Sequence, residues 1–321
     1  MRFSVDPWDP SYGTSLDTEL GESTAQVVAD VEVPVDRWAP LGPDPRVAPP
    51  GRVLFVDGVR RIDAQVWVEE SDGTASPALC ASYSAGVVCC CRADGAHLLT
   101  AHVRRGLFTT VADDTDVVTT AGTYRATRTA ARPDIAPVQV LSLALQRGLA
   151  DVELVAAAAA RSDHGVGDDL LVIDGPLRGR QHLPRAIGFV KSHRSDYLPP
   201  RLGGVVAALG PGQRTPVFRL GSSWERHTWY LRLPCASGAP WAGVARVECS
   251  ADLTADAAIA LAALSQVTLV RYASTEYKDS RAPQNLYPIA GLERAMRRRL
   301  GEPTVLYRAL RLAASTLPGS H

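Results

Sequence analysis

Three acidic residues stand where they could bind a catalytic metal ion. Asp57 ends the apolar run in GRVLFVD, Asp174 ends a second one in DDLLVID, and glycine follows each of them. Glu153 lies between the two, in ADVELVAAAAA. Carboxylates brought together attract divalent cations, and two such cations can drive the cleavage of a phosphodiester bond. The trio therefore predicts metal-dependent phosphodiester chemistry, with Mg²⁺ or Mn²⁺ as the hard cations that prefer oxygen ligands.

The order of these acids along the chain also predicts a fold. Each aspartate is interpreted as the polar end of a buried strand, and the glutamate lies on a helix between the two strands. In an RNase H-like fold the carboxylates follow this order along the chain: the first ends a strand, the second lies on a helix and the third ends another strand. An Asp-Gly pair after a strand is by itself a common turn, so the prediction depends on the ordered set and not on either pair alone.

A long helix must position Glu153. Pro137 suits its first turn and Asp134 can cap it. Apolar residues then recur at helical spacing, at Val138, Leu141, Leu145, Leu149, Val152 and Ala156. In a regular helix Glu153 lies about 70° from the centre of this stripe, whereas Asp151 points away. A carboxylate at the edge of a buried face can reach the end of an adjacent sheet, which favours Glu153 over Asp151.

The remaining pattern predicts an α/β fold with a mixed sheet flanked by helices and an N-terminal extension. Residues 1–47 are acidic and rich in proline, and we expect an N-terminal arm there with one helix near Leu16–Val33. Residues 48–321 are expected to form one catalytic domain. Its predicted strands are Arg52–Asp57, Leu170–Asp174, Ala186–Lys191 and a hairpin of Thr228–Pro234 with Gly243–Cys249, and its later helices are Asp256–Arg271 and Ile289–Leu300.

Basic residues are unevenly distributed, although the net charge is zero. Residues 178–201 contain six basic residues and one acidic residue, and residues 271–311 contain nine basic and four acidic residues. Two such clusters favour contact with phosphates, while a solvated basic face is the alternative. Only Lys191 and Lys278 are lysines among 34 basic residues. Lys191 could therefore have a task that arginine cannot perform, such as placing a compact charge beside a phosphate or the attacking water.

Several other functions lack their motifs. The sequence has no GxxxxGK[ST], so it is not itself an ATP-driven motor, and it has neither HExxH nor GxSxG. No apolar run approaches the ~20 residues of a membrane span. The first residues, MRFSVDPWDP, also lack the layout of a signal peptide. We therefore expect a cytoplasmic protein that does not contact a membrane.

The six cysteines show no CxxC pair. Cys89, Cys90 and Cys91 are consecutive, and neighbours in a strand point to opposite faces, so these three cannot all bind one metal ion. We expect the cysteines to be buried, reduced thiols, as is usual in a cytosolic chain.

The ordered motifs resemble a known family. FVDGVRR, RGLADVELVAAAA, LLVIDGPL, IGFVKSHRS, GVARVECSAD and NLYPIAGLERAM together are similar to segments of the NurA nucleases, from about Arg52 to about Arg299. The resemblance implies an RNase H-like, Mn²⁺-dependent, homodimeric nuclease. Such an enzyme processes DNA ends while a HerA-like hexameric ATPase feeds it the duplex. A motor supplied by a partner agrees with the missing P-loop.

The resemblance also assigns roles to individual residues. Asp57, Glu153 and Asp174 match the family's metal ligands, and Lys191 matches a lysine of the following strand. Met296 stands where the family has a metal-binding histidine, and a thioether is a poor ligand for Mn²⁺ or Mg²⁺. Glu293, one helical turn earlier, is the first candidate to replace it and Asp279 is the second. The predicted DNA-binding residues are Arg60, Arg178, Arg180, His193, Arg194, Arg297 and Arg298.

The missing histidine leaves an alternative open. The chain could be a catalytically degenerate DNA-binding or adaptor subunit that docks on a HerA-like ATPase. A polynucleotide transferase or integrase on the same fold is a weaker alternative, because nothing in the sequence suggests a separate target-recognition domain.

Overall fold

A computed structural model describes most of the 321-residue chain. The described residues are 25–70, 72–112, 115–162, 167–191, 197–222, 224–235, 241–275, 277–279 and 281–316. Their strands are β1 (Gln26–Val28), β2 (Arg52–Glu69), β3 (Ala75–Cys91), β4 (Gly95–Thr109), β5 (Val117–Thr119), β6 (Gly122–Arg128), β7 (Asp169–Asp174), β8 (Ala186–Val190), β9 (Phe218–Gly221), β10 (Glu225–Arg232) and β11 (Val244–Ser250). The helices are α1 (Pro137–Ser162), α2 (Pro200–Ala207), α3 (Ala255–Leu269), α4 (Tyr287–Arg299) and α5 (Pro303–Ser315).

The strands form a large mixed sheet in the order β1-β9-β10-β11-β8-β7-β2-β3-β4-β6-β5. Strands β2, β7 and β8 run parallel to one another, whereas β8, β11, β10 and β9 are joined by antiparallel pairings. The predicted α/β class, with a mixed sheet and flanking helices, is confirmed. Central parallel strands must be covered on both faces, and this explains why the segments VLFV and LLVI are apolar throughout.

The chain divides into two compact units. The first contains the described parts of Met1–Val56, Val88–His97 and His164–Ala290. Its main core surrounds the fully buried Trp229, with apolar residues of β7, β8, β10, β11 and α3. A second core gathers around Trp38 and Phe218. Residues 25–47 belong to this unit, and Arg214 holds them through a buried bidentate ion pair with Glu32, at 2.7 and 2.8 Å.

The second unit contains the described parts of Asp57–Val87, Leu98–Asp163 and Gly291–His321. One face of β3 packs against α1, where Leu79 and Tyr83 meet Leu141 and Leu145. A second cluster places Leu310 of α5 among Ala78, Cys80, Leu107 and Tyr124. The apolar stripe predicted for α1 therefore faces a sheet, apart from Val138, which is exposed at the start of the helix.

Most predicted elements are confirmed, with differences at their ends. The strands predicted around Asp57, Asp174 and Lys191 are present as β2, β7 and β8, and the predicted late hairpin is the antiparallel pair β10–β11. The helix predicted near Leu16–Val33 is wrong for the described residues 25–33, where β1 pairs with β9 instead. The pairing of β1 with β9 determines the conformation of residues 26–28. A strand of only three residues is too short to show a strand pattern in the sequence.

None of the described helices is both long enough and apolar enough to cross a bilayer.

Candidate metal centre

Asp174 ends strand β7 in the first unit. Strand β2 pairs with β7 in parallel register, from Arg52 opposite Asp169 to Val56 opposite Ile173. Gly175 follows with a φ of +101°, a conformation that favours glycine, and its N–H still donates to the Phe189 carbonyl of β8 at 2.9 Å. Asp174 therefore has a fixed place at the carboxyl end of a buried parallel strand, as the sequence predicts.

Lys191 is buried directly after β8 and is held against Asp174. Its Nζ donates to Oδ2 of Asp174 at 2.6 Å and to Oδ1 of Asn285 at 3.0 Å. The side chains of Lys191 and Asp174 are only 2% and 10% exposed, so each charge is buried beside the other. A buried ammonium needs such partners, because desolvation would otherwise favour its neutral form. Lys191 thus has two specific acceptors in the structure, and its functional task stays a prediction.

A chain of polar contacts continues outward from Lys191. Asn285 donates from Nδ2 to Oδ2 of Asp279 at 2.6 Å, and the backbone N–H of Arg281 donates to Oδ1 of Asp279 at 2.9 Å. Burial opposes ionisation of Asp279, but these hydrogen bonds and the Arg281 charge outweigh it and lower its pKa. The oxygen of Asn285 is thus oriented toward Lys191 by an ionised carboxylate behind it.

A buried glutamate supports the turn that follows Asp174. Glu248 is fully buried and accepts a hydrogen bond from the backbone N–H of Leu177 at 2.7 Å. Its charge is balanced by Arg226 and Arg246, at 3.2 and 3.4 Å. Gly188 lies beneath the same turn, where a Cβ would come within 2.8 Å of the Leu177 nitrogen. The turn therefore requires glycine at position 188.

Asp57 and Glu153 belong to the second unit. The Asp57 side chain is buried, and its Oδ1 accepts from the Gly58 backbone N–H at 2.7 Å. A Cβ on Gly58 would lie 2.7 Å from Oε1 of Glu153 and 2.7 Å from Cδ1 of Leu149. Glu153, buried on α1, thus packs against the backbone next to Asp57. Asp151 is exposed, as the helical geometry predicts.

Three carboxylates come close enough to share a cation. One oxygen from each of Asp57, Asp174 and Glu293 lies within 4.8 Å of the other two. The β2–β7 register explains the first two, because they directly follow the paired residues Val56 and Ile173. Magnesium-type coordination places oxygen ligands roughly 3 to 4 Å apart, so small side-chain rotations suffice. The donors are all carboxylate oxygens, which suits Mg²⁺ or Mn²⁺.

The structure therefore groups a set of acids that differs partly from the predicted one. Glu293, the first candidate to replace the family histidine, belongs to the three-carboxylate group. Glu153 is not one of those three, although it packs against Gly58, the residue next to Asp57. Asp279 lies in the hydrogen-bonded chain behind Lys191 and also stands outside the group.

Met296 is a core residue. It is fully buried, and Ser84 Oγ donates to its sulfur at 3.2 Å. A Cβ on Gly86 would approach the same sulfur to 3.0 Å. Its thioether is thus enclosed by β3, which agrees with a packing role and gives no support to metal binding at this position.

The predicted DNA-binding arginines differ in their surroundings. Arg178, Arg297 and Arg298 are exposed, and the last two lie in the final turn of α4. Arg180 is half-buried and donates to the carbonyl of Pro176 at 3.2 Å. Arg60 is half-buried too, donates to Ser142 at 3.2 Å, and has its pKa lowered by burial. His193 and Arg194 lie outside the described residues.

Asn285 is the residue that the sequence interpretation missed. The sequence analysis names no side-chain partner for Lys191, whereas the amide oxygen of Asn285 is one of its two acceptors named above. A signal was present, because Asn285 is the first residue of NLYPIAGLERAM, one of the stretches on which the family resemblance depends.

Neither the protein-family models nor the curated proteins contain a match to the chain.

Proposed function

We propose that the protein is a divalent-metal-dependent deoxyribonuclease with an RNase H-like fold. The observation that carries this proposal is the approach of one oxygen from each of Asp57, Asp174 and Glu293 to within 4.8 Å of one another. The strand order β4-β3-β2-β7-β8, with β7 and β8 parallel to β2, supports the fold, as does the helix α1 that precedes β7.

The three carboxylates would hold Mn²⁺ or Mg²⁺. When bound, the cation supplies a nucleophile at neutral pH and stabilises the charge that develops on the leaving 3′ oxygen. Glu153 borders this group through its packing on Gly58 and would orient Asp57 or bind a second ion. A cation would offset the mutual repulsion of the three carboxylates, which is the physical reason for a metal ion at this place.

Lys191 would act on the substrate phosphate. Its ammonium is directed by Asp174 and Asn285 and carries three donors. Lys191 would place its positive charge beside a phosphate oxygen or the attacking water. Arg60, Arg178, Arg180, Arg297 and Arg298 would hold the DNA backbone through phosphate contacts, which do not depend on base sequence.

The proposed assembly is a homodimer that works with a HerA-like hexameric ATPase. It rests on the family resemblance and on the absence of a P-loop from the sequence. A separate motor would supply the translocation that this chain has no nucleotide-binding motif to drive.

A second candidate function is an adaptor subunit that binds DNA or the ATPase without cleaving DNA. The buried environment of Met296 favours it, because the sulfur is engaged by Ser84 and the position offers no histidine ligand. The two candidates predict the same fold and the same partners, and differ only in DNA cleavage.

A cleavage assay separates them. The purified chain is incubated with linear duplex and single-stranded DNA and Mn²⁺, with and without a HerA-type ATPase. Wild type should cleave, and Asp57→Asn should reduce the rate by about 100-fold or more, the scale on which single active-site groups act. Asp151→Asn is the matched control, because this aspartate is exposed on the same helix as Glu153 and should leave cleavage unchanged.

The opposite results are equally clear. If wild type and Asp57→Asn are both inert with the ATPase present, the nuclease proposal is wrong and the adaptor remains. If Asp57→Asn cleaves as fast as wild type, the activity belongs to another site or to a contaminant.

A further inference from the structure

A second cluster of ligating side chains lies at the turn between β3 and β4. Cys89 and Cys91 are separated by one residue on β3, so strand geometry points them to the same face. His97 is the third residue of β4, only six positions after Cys91. A sulfur from each cysteine and one imidazole nitrogen all lie within 4.8 Å of one another.

Cys90 has a different environment. It belongs to the main core of the first unit, together with Phe55 and Trp229. The expectation that three consecutive cysteines cannot share one ion therefore holds for Cys90. The same expectation did not take into account that strand alternation places Cys89 and Cys91 on one face. The strand thus divides the CCC run into one core thiol and two thiols that accompany a histidine.

The imidazole supplies an independent sign of a missing ligand. Nδ1 of His97 is buried, and within the described part of the chain it has no hydrogen-bond partner. A buried polar atom without a partner is costly and calls for an explanation such as an ion. The described thiols are all free, so no disulfide occupies Cys89 or Cys91.

Hydrogen bonds within the turn fix the position of Cys91. The backbone N–H of Asp94 donates to the sulfur of Cys91 at 3.4 Å, and the Cys91 thiol donates to Oδ2 of Asp94 at 3.8 Å. Gly95 has a φ of +65°, which lets the chain reverse within three residues. Arg92 and Asp94 are exposed, so an ion can enter from solvent at the turn.

We propose that Cys89, Cys91 and His97 form a zinc site at the β3–β4 turn, distinct from the carboxylate group. Two thiolates and an imidazole are the ligand types that select Zn²⁺ over Mg²⁺ or Mn²⁺. Tetrahedral zinc places such ligand atoms roughly 3.5 Å apart, so the three need to move by about 1 Å at most. Water completes the coordination, and the two thiolates balance the charge of the ion.

Zinc binding at this site must release protons. Burial, with a further contribution from the charge of Cys91, raises the pKa of the Cys89 thiol to about 12 in the metal-free protein. The ion therefore displaces a thiol proton when it binds, and acidification reverses the reaction.

Cobalt substitution tests the proposal on the full chain. Reduced, chelator-treated protein is titrated with Co²⁺ in excess Mg²⁺, which occupies hard oxygen sites. Wild type should bind about one Co²⁺ with thiolate-to-cobalt absorption and the visible bands of a tetrahedral ion, and one equivalent of Zn²⁺ should abolish both. Cys91→Ser and His97→Ala should each reduce the absorption to that of free Co²⁺, with unchanged circular dichroism.

Cys90→Ala is the matched control and should keep the wild-type cobalt spectrum, as should Asp57→Asn. The proposal is overturned if wild type shows no thiolate absorption, or if Cys91→Ser keeps it. It is also overturned if Cys90→Ala loses the absorption while remaining folded, or if Cys89 and Cys91 are already oxidised to a disulfide in freshly purified protein. None of these outcomes depends on DNA cleavage, so the zinc site and the nuclease proposal can fail separately.

Discussion

The carboxylate group and the β3–β4 turn assemble their ligands in opposite ways. Asp57, Asp174 and Glu293 are separated by more than a hundred positions each, whereas Cys89, Cys91 and His97 lie within nine consecutive residues. The first group requires the strand register of β2 with β7, while the second requires only one hairpin. Ligands brought together over a long separation depend on the whole fold, and ligands within a hairpin depend on local geometry.

The two clusters also differ in charge without metal. The carboxylate group is anionic, and Lys191 lies within 2.6 Å of Asp174 as a built-in cation. The Cys89 thiol stays protonated because burial raises its pKa to about 12. Without its ion, the carboxylate group needs a neighbouring positive charge to offset its negative charge. The Cys89 thiol needs no such neighbour because it keeps its proton. This difference can be tested by removing one charge at a time.

The largest expected effect comes from Lys191→Met. This substitution keeps the length of the side chain but leaves the buried Asp174 carboxylate without its ammonium partner. Breaking a buried ion pair in this way costs about 3 to 5 kcal/mol. The free energy of unfolding, measured by urea denaturation without divalent metal, should fall by about that amount.

Two controls sharpen this result. Lys278→Met removes the other lysine, which is exposed over the rings of Tyr277 and Tyr287, and should leave the free energy of unfolding nearly unchanged. Cys91→Ser in metal-free protein should also have a small effect, since no charge loses its partner. A loss for Lys191→Met no larger than for Lys278→Met would show that the carboxylate group needs no internal cation.

Gly58→Ala tests how tightly the carboxylate group depends on close packing. The added Cβ would come within 2.7 Å of both Glu153 and Leu149, so α1 must shift away from β2. Overpacking of this kind costs about 1 to 3 kcal/mol. We expect a lower thermal midpoint and slower Mn²⁺-dependent cleavage, whereas cobalt binding at the thiol cluster should be unchanged.

Gly203→Ala is the control for this substitution. Gly203 lies in helix α2 with open space where its Cβ would be, so alanine should be neutral or stabilise by up to about 1 kcal/mol. If Gly58→Ala lowers the thermal midpoint no more than Gly203→Ala does, the contact between Glu153 and the backbone next to Asp57 does not contribute to stability.

The contrast between the clusters also explains what the sequence could predict. Asp57 and Asp174 were identifiable because apolar runs ending in acid mark the ends of buried strands, and helical spacing separated Glu153 from Asp151. Asn285 was missed because an amide carries no charge signal, and its place beside Lys191 arises only from tertiary packing. The pairing of Cys89 with Cys91 was within reach of strand alternation, but His97 required knowledge of where the turn falls. Strand β1 was missed because three residues give no period to detect.

The smallest expected effect concerns Asp279, the outermost residue in the series of hydrogen bonds that begins at Lys191. Asp279 orients Asn285 through the 2.6 Å hydrogen bond, and Asp279→Asn replaces that charged acceptor with a neutral one. A hydrogen bond to a charged group contributes on the order of 1.5 kcal/mol, and this carboxylate is partly exposed, so we expect a loss of about 1 kcal/mol at pH 7.

The pH dependence gives this last substitution its diagnostic value. The pKa of Asp279 is lower in the folded protein than its ordinary value of 3.8. Its stabilisation is therefore fully present above that value and is lost as pH falls through the lowered folded-state pKa. The difference in unfolding free energy between wild type and Asp279→Asn should therefore shrink as the pH falls below 3.8. The difference for Cys89→Ser should stay constant over the same range, because that thiol remains protonated throughout. A constant difference for Asp279→Asn would mean that Asn285 is held by packing alone, and the carboxylate group would then resemble the thiol cluster in needing no ionised support.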